Sequence, residues 1–451
     1  MASPQTAELL EFVTRSGSSD VPGEVLHQSK RCLLDFVGLV IGAVDEPTVT
    51  IPRSLYAGWG GDPQAAVLGT ALRLRMTDAA EVNAIAAHAL DYDDTHAPTI
   101  LHGTTPVYGA ALALAEWRGR SGLDLLAAHA FGFEAAARVA LALYPAHYDI
   151  GWHMTGTAGV IGAAMAGARL LDLVGDPALN CLGVASTQAA GHRQHFGTMT
   201  KPFHAGHAAR SGLVAALFAE SGFTADADPL QGVRGMLPVM SSRFDPSLLT
   251  AGLGSTWELA RNGVKPYACG VVTHPAIDAV RQVVAQCRAE GVAVERISRV
   301  ELEVHPLVLE LTNKTEPRTG LEGKFSVRFT CAIAALDGAA GPSAFTDANV
   351  TRPDVRSLMS RIGVAATSSL THDQARATAT TDDGQVRAVF IEHASGTPEN
   401  PVSDAALAAK FHDLADPVLS AAQAAELEAA VWAIDGASDL SDLVRLATPA
   451  G

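Results

Sequence analysis

The sequence predicts a mainly α-helical fold with an α+β insertion, and three observations carry that prediction. Of 451 residues, 48% are hydrophobic and only 6% aromatic, and alanine is heavily used. That composition suits close-packed helices better than a β-sandwich. Apolar residues recur at helical spacing through most of the chain up to residue 290,. The pattern changes to period two near residue 298 and returns to helical spacing after Pro398 and Pro401. The length suits two or three domains of roughly 150 residues, or one large domain with an inserted partner. The changes of pattern place a helical domain at 1–267, completed by helices in 398–451, around an α+β insertion at 268–397.

The elements follow in order. Residues 4–17 and 23–43 read as helices, the second ("EVLHQSKRCLLDFVGLVIGA") ending in glycine and alanine,. "TDAAEVNAIAAHALDY" (77–92) offers Thr77 or Asp78 as a cap, with Glu81 placed for a capping box,. "TPVYGAALALAEWRG" (105–119) offers Thr105 as N-cap and Pro106 at the first helical position, where a missing N–H costs nothing,. Helices continue over 122–143, 157–174, 204–221 and 275–290. The small residues of "GTAGVIGAAMAGARLL" let another helix approach closely, which suits a buried central helix. "SRVELEVHPLVLEL" and "KFSVRFTCAIA" (324–334) alternate as strands do,. "RATATTDDGQVRAVFIEHASG" (376–396) reads as a hairpin turning at Asp382-Asp383-Gly384, and helices close the chain through about residue 447,.

The formal net charge of −16 disfavours nucleic acid and anionic membranes as partners, and it repels an anionic substrate at long range,. A site for such a substrate must therefore be locally basic. The five cysteines, at 32, 181, 269, 287 and 331, are odd in number and form no CxxC pair. No disulfide framework, structural zinc or iron–sulfur cluster is expected, and the usage suits the cytoplasm. No signal peptide or membrane span is expected either. The dinucleotide, Walker A and nucleophile-elbow fingerprints are missing,.

The stretch "HALDYDDTHAPTILHGTTPVYGAALALAE" gathers His88, Asp91, Asp93, Asp94, His96 and His102 between two alanine-rich helical runs. Metal ligation, acid/base catalysis and a solvated loop compete to explain it. The spacing is not one of the well-marked metal motifs. His372-Asp373 and His412-Asp413 are similar to the dipeptides of metal phosphohydrolases, yet both lie far along the chain from the other candidates. A second pattern is more telling. His102 precedes Thr105-Pro106, His153 precedes Thr155 and Thr157, Lys201 precedes Pro202, and His274 stands between Thr273 and Pro275. Four times a basic side chain sits at a helix start, where unpaired N–H groups and the helix dipole favour an anion. One histidine near a helix start is more often a satisfied loop residue. The recurrence points to a basic pocket for a polycarboxylate, and the sequence leaves convergence of the four open.

"HALDYDDTH", "GWH", "TKPFHAGHAAR", "VKPYACGVVTHPAIDA", "EGKFSVRF" and "GTPENPVSDAALAAKF" together resemble the MmgE/PrpD family, in family order across nearly the whole chain. Its members include 2-methylcitrate dehydratase, cis-aconitate decarboxylase and iminodisuccinate epimerase. The resemblance implies a large all-helical domain with an inserted smaller α+β lid domain, a homodimer, and an active site between the domains that needs no metal or organic cofactor. Carried across, it implies His102, His153, Asp91 and Lys201 as catalytic residues, and Thr95, Lys265 and His274 as substrate-binding ones. Two departures stand out. Many relatives have His-Pro where this chain has His102-Gly103. The decarboxylase branch has a further histidine shortly after the second lysine, where this chain reads Tyr267-Ala268-Cys269-Gly270.

The implied chemistry is a carbanion or enolate formed next to a carboxylate. A base removes the α-proton and cationic groups hold the charge that develops. His102 and His153 are the base and acid in an order left open, Lys201 and Lys265 bind carboxylates, and Asp91 orients a histidine or positions substrate. Loss of water from a 2-methylcitrate- or citrate-type acid is the first expectation. Epimerisation of a dicarboxylate of iminodisuccinate type, decarboxylation of cis-aconitate type, and a non-catalytic helical binding protein follow.

Overall fold

The computed structural model describes residues 2–450. The described residues are mainly α-helical, and the chain divides into two compact units. One comprises the residues through Ala89, Asp93–Gly263 and those from Ser403 on; the other comprises Leu90–Tyr92 and Val264–Val402.

The first unit is built of helices. Gly122–Leu143, Gly159–Leu170, Thr200–Glu220, Thr104–Arg118 and Met76–Ala89 pack against one another at its centre. Small residues set the spacing. A Cβ on Gly132 would stand 2.7 Å from the carbonyl oxygen of Gly162, and one on Gly212 would stand 2.6 Å from the Ala164 nitrogen. Backbones approach this closely only where side chains are absent. The Gly122–Leu143 helix is long and apolar enough to cross a membrane, and 94% of its apolar window is buried inside the protein. The Gly23–Gly42 helix packs against Asp404–Ala415, so the C-terminal helices complete this unit.

The second unit carries a four-stranded sheet in the order Ile362–Ala366, Ile297–Val304, Ala375–Thr381, Val386–Ile391. The first pair is parallel and the others antiparallel. The hairpin turns at Asp382-Asp383-Gly384, with Gly384 at φ +82°. Val300, Leu302 and Val304 are buried and Glu301 and Glu303 exposed, the period of two expected of a one-sided sheet,. The His274–Ala289 helix covers the antiparallel strands. Leu90–Tyr92 belongs here through its bonds: Lys265 reaches Asp91, Lys324 reaches the Leu90 carbonyl, and the Tyr92 hydroxyl donates to the Pro266 carbonyl.

Several local expectations change. Residues 324–334 are not a strand: Val327–Asp337 is a helix, capped by Ser326 and ended by Gly338 in the left-handed region. It is buried over nearly all its length, so its apolar run has no polar face to betray the helical period,. The alternation from 298 ends at Val304, and Pro306–Thr312 is helical, with His305 Nδ1 accepting the Leu307 N–H. Thr105 is not an N-cap. The helix begins at Thr104, and the Thr105 hydroxyl donates to Asp93 instead. Asp78 and Glu81 form no capping box either. Both face Arg210, which ties their helix to Thr200–Glu220.

Candidate functional site

The first unit gathers a cluster of buried imidazoles. His88 ends the Met76–Ala89 helix, His102 closes the loop before Thr104, and His153 precedes the short Met154–Thr157 helix. Lys201 and His204 stand in the first turns of Thr200–Glu220. All five are buried. Ring centroids lie 4.8 Å apart for His88 and His102, 5.7 Å for His88 and His153, and 6.4 Å for His102 and His153. The Phe196 ring lies edge-on to His153 at 4.9 Å, with the Lys201 ammonium 5.4 Å from its centroid. The main chain binds the pieces: the His102 N–H donates to the Thr155 hydroxyl and the His153 N–H to the Gly191 carbonyl.

Hydrogen bonds assign the rings. Asp93 Oδ2 lies 2.8 Å from His88 Nδ1, accepts the Thr105 hydroxyl at 2.8 Å, and lies 3.5 Å from His102 Nδ1. The His102 Nδ1 also lies 2.8 Å from the Asp94 carbonyl, which can only accept. Nδ1 of His102 therefore carries a proton, and in the neutral ring Nε2 keeps its lone pair. The same argument leaves the lone pair of His88 on Nε2. His153 Nδ1 meets His204 Nδ1 at 3.0 Å. Burial first, then the cationic forms of His88, Lys201, His204 and His102, hold the His153 imidazole well below its ordinary pKa,. His153 is a neutral imidazole at pH 7.

The donor atoms of His88, Asp93 and His102 lie within 4.8 Å of one another, close enough to face one ion. The hydrogen bonds among them account for this arrangement as an acid/base cluster. A polar layer backs the cluster. Asp94 sits beside Thr104 and Cys32, its carboxyl pushed up to about 7, first by burial. Lys410 pairs with Asp35 at 2.6 Å, both buried. His96 is a loop anchor, with one nitrogen on Thr99 and the other on Glu258.

The second unit holds its own charged group. Asp91, at φ +52°, places its carboxylate 2.7 Å from Lys265 Nζ, and both side chains are buried. Aspartate tolerates the left-handed region better than most residues, and such strain collects at functional sites. His274 starts its helix and lies edge-on to Tyr267 at 5.2 Å.

Comparison with known proteins gives the family. The models of the MmgE/PrpD N-terminal domain and the MmgE/PrpD C-terminal domain match residues 7–249 and 267–435. The chain belongs to the MmgE/PrpD family. It is 27% identical to the cis-aconitate decarboxylase of Aspergillus terreus, over 98% of this chain and 95% of that one. It is 28% identical to the human cis-aconitate decarboxylase, over 78% of this chain and 76% of that one. Of the positions singled out by the MmgE/PrpD resemblance, His102, His153, Lys201 and Thr95 fall in the first unit. There the Thr95 hydroxyl touches His102 Nδ1 at 3.2 Å. Asp91, Lys265 and His274 fall in the second. Sequence reasoning gave no role to Asp93, His88 or His204. The signal for His88 and Asp93 was their place in the ionisable stretch at 88–102, and for His204 its three-residue spacing from Lys201, which sets both on one helix face,.

Proposed function

We propose that this MmgE/PrpD protein is a lyase acting on a small polycarboxylate of the citrate and aconitate class, through a carbanion stabilised by a neighbouring carboxylate. The observation that carries the reading is the buried cluster of His102 and His153 with Lys201 beside them. It combines a ring fixed with a lone pair on Nε2, a neutral second ring, and a cation. His102 is the base by its tautomer, and His153 is the acid. Lys201 and Lys265 are carboxylate-binding cations that also hold developing charge, Lys265 being oriented by Asp91,. Thr95 steadies His102, and His274 is a substrate-binding residue.

Loss of carbon dioxide from a cis-aconitate-type acid is favoured among the lyase outcomes by the names of the relatives, which match over most of the chain. The carbon–carboxylate bond breaks, its electron pair passes into the remaining conjugated system, and His153 supplies the proton that completes the product. Loss of water from a 2-methylcitrate- or citrate-type acid is the second reading. It is favoured at the place where the decarboxylase branch carries a further histidine. Here that neighbourhood reads Tyr267-Ala268-Cys269-Gly270, with the Tyr267 hydroxyl held by Asp278 and Arg281.

The test is proton NMR of a panel of citrate, 2-methylcitrate, cis-aconitate and iminodisuccinate in D2O, with His102→Ala and His153→Ala as controls. A new alkene with carbon dioxide release marks the first reading, and an alkene formed from a hydroxy acid marks the second. Deuterium uptake without change of composition would replace both with an epimerase. Equal turnover in the wild type and both variants would remove the assignment.

A further inference from the structure

His204 faces His153 with like atoms, Nδ1 to Nδ1 at 3.0 Å. Two neutral imidazoles at that distance share one hydrogen, donated by one ring and accepted by the other. The backbone is trimmed to allow the contact. Gly191 has φ +120°, and a Cβ there would stand 3.1 Å from His204 Cγ; a Cβ on Gly156 would stand 2.2 Å from the Ala190 carbonyl oxygen. The neighbours that act most strongly on the pair are basic: His88 and His102 from the first helices and loop, His192 and His195 from the segment before Lys201, and Lys201 itself, while the carboxylate of Asp93 lies one ring further away, on His88. A second proton on the pair is thus disfavoured. Burial and these neighbours lower His204 to about 4.

We propose that His204 is the proton-exchange and positioning partner of His153, the two rings passing one proton as a unit without building charge. Resting on the lyase reading above, the step runs as follows. His153 Nε2–H gives its proton to the substrate carbon. His153 Nδ1 takes the proton from His204 Nδ1, and His204 Nε2 takes one from solvent. One proton has moved from water to carbon, both imidazoles are neutral again, and the hydrogen bond between them has reversed direction. Supply from solvent comes past His195 and His192, which are exposed, with ring centroids 6.2 Å from His204 to His195 and 6.4 Å from His195 to His192. A neutral relay suits this place, because a permanent imidazolium buried beside Lys201 is costly,.

Two measurements test the pair. Nitrogen NMR of histidine-labelled full-length protein, with no substrate present, reads the tautomers directly. The expected result is one protonated and one bare Nδ1 across the pair, neutral to well below pH 6, with the His153 signals displaced in His204→Phe. Two rings that titrate independently at ordinary histidine values would overturn the proposal. This readout stands even if no compound on the panel is turned over, so failure of the lyase reading and failure of the pair are told apart. With a substrate in hand, His204→Ala should lose about 10²-fold or more in kcat with KM little changed. Added imidazole should restore turnover to His204→Ala in proportion to its concentration, and His204→Phe should not respond. A His204→Ala enzyme with wild-type kcat and pH profile would also overturn it.

Discussion

The Nδ1 atom of His88 stands 2.8 Å from a carboxylate oxygen of Asp93, and that same oxygen accepts the Thr105 hydroxyl at 2.8 Å and lies 3.5 Å from His102 Nδ1. One buried carboxylate thereby fixes which nitrogen of His88 carries the proton, and it stands beside His102, whose Nδ1 proton is held by the Asp94 carbonyl.

Replacing Asp93 with asparagine keeps the shape and removes the charge. The amide is a weaker acceptor for His88 and Thr105 than the carboxylate, so the tautomer preference of His88 is weakened and the negative charge beside His102 is lost. Asp93→Asn is expected to lower kcat by about 10²–10⁴-fold, the usual worth of a positioned acid or base, with KM changed far less. Circular dichroism matching the wild type would separate this from misfolding. Unchanged kcat would show that Asp93 is a packing residue.

The Lys265–Asp91 pair makes a different demand, because both partners are buried in the second unit. Removing one partner of such a pair costs about 3–5 kcal/mol, while exchanging both for neutral residues of similar volume is often close to neutral. Lys265→Met is therefore expected to lower the unfolding free energy by about 3–5 kcal/mol in urea, and the double variant Lys265→Met with Asp91→Asn, which keeps a residue that tolerates the left-handed backbone, to regain much of it without regaining activity,. Full stability in the single variant would mean that water reaches the pair.

Most of the long helices of the first unit were legible from period or a marked end: Gly23–Gly42 shows helical period, and Thr104–Arg118 is marked by Pro106 near its start and Gly119 after its end, whereas Pro47–Trp59 and Asp176–Ser186 were not read. The Val327–Asp337 helix was misread because its apolar run is buried all round. The Ile362–Ala366 strand was missed because five residues with a glycine give little alternation to read. In the site, His102, His153 and Lys201 were legible as motif residues. The tasks of Asp93 and His204 were not, since each depends on which atom faces it from another segment. The chain must turn at Asp91 before His88 and Asp93 can meet, and spacing alone does not show that turn.

Close packing of the central helices gives a test that does not involve the site. A methyl group on Gly212 would stand 2.6 Å from the Ala163 Cβ and the Ala164 nitrogen and 2.7 Å from the Val160 carbonyl oxygen. The facing atoms are mostly backbone of the Gly159–Leu170 helix and cannot swing aside. Gly212→Ala, which in an exposed helix would stabilise, is expected here to destabilise by about 1–3 kcal/mol. A thermal melt shows the sign directly, and a rise in Tm would mean that the two helices separate easily.

Asp94 supplies the pH test. Its carboxyl is pushed up to about 7, first by burial and further by Asp35 and Asp93, with the neighbouring Thr104 and Cys32 opposing the shift. An unfolded aspartate titrates near 3.9. Between those values the folded state binds the proton that the unfolded state releases. The stabilising contribution of Asp94 is therefore complete below about pH 4 and is lost as pH rises through about 7. Asp94→Asn keeps the shape of the side chain and removes this titration. Relative to the wild type, the variant should gain stability steadily from pH 4 to 7 and level off above it, by about 4 kcal/mol at most. Urea midpoints for both proteins at pH 5, 6, 7 and 8 measure the difference, and because the other titrating groups are common to both, their pH dependence cancels to first order. A difference that stays constant from pH 5 to 8 would show that Asp94 is ionised throughout, with its charge held by Lys410 rather than opposed by burial.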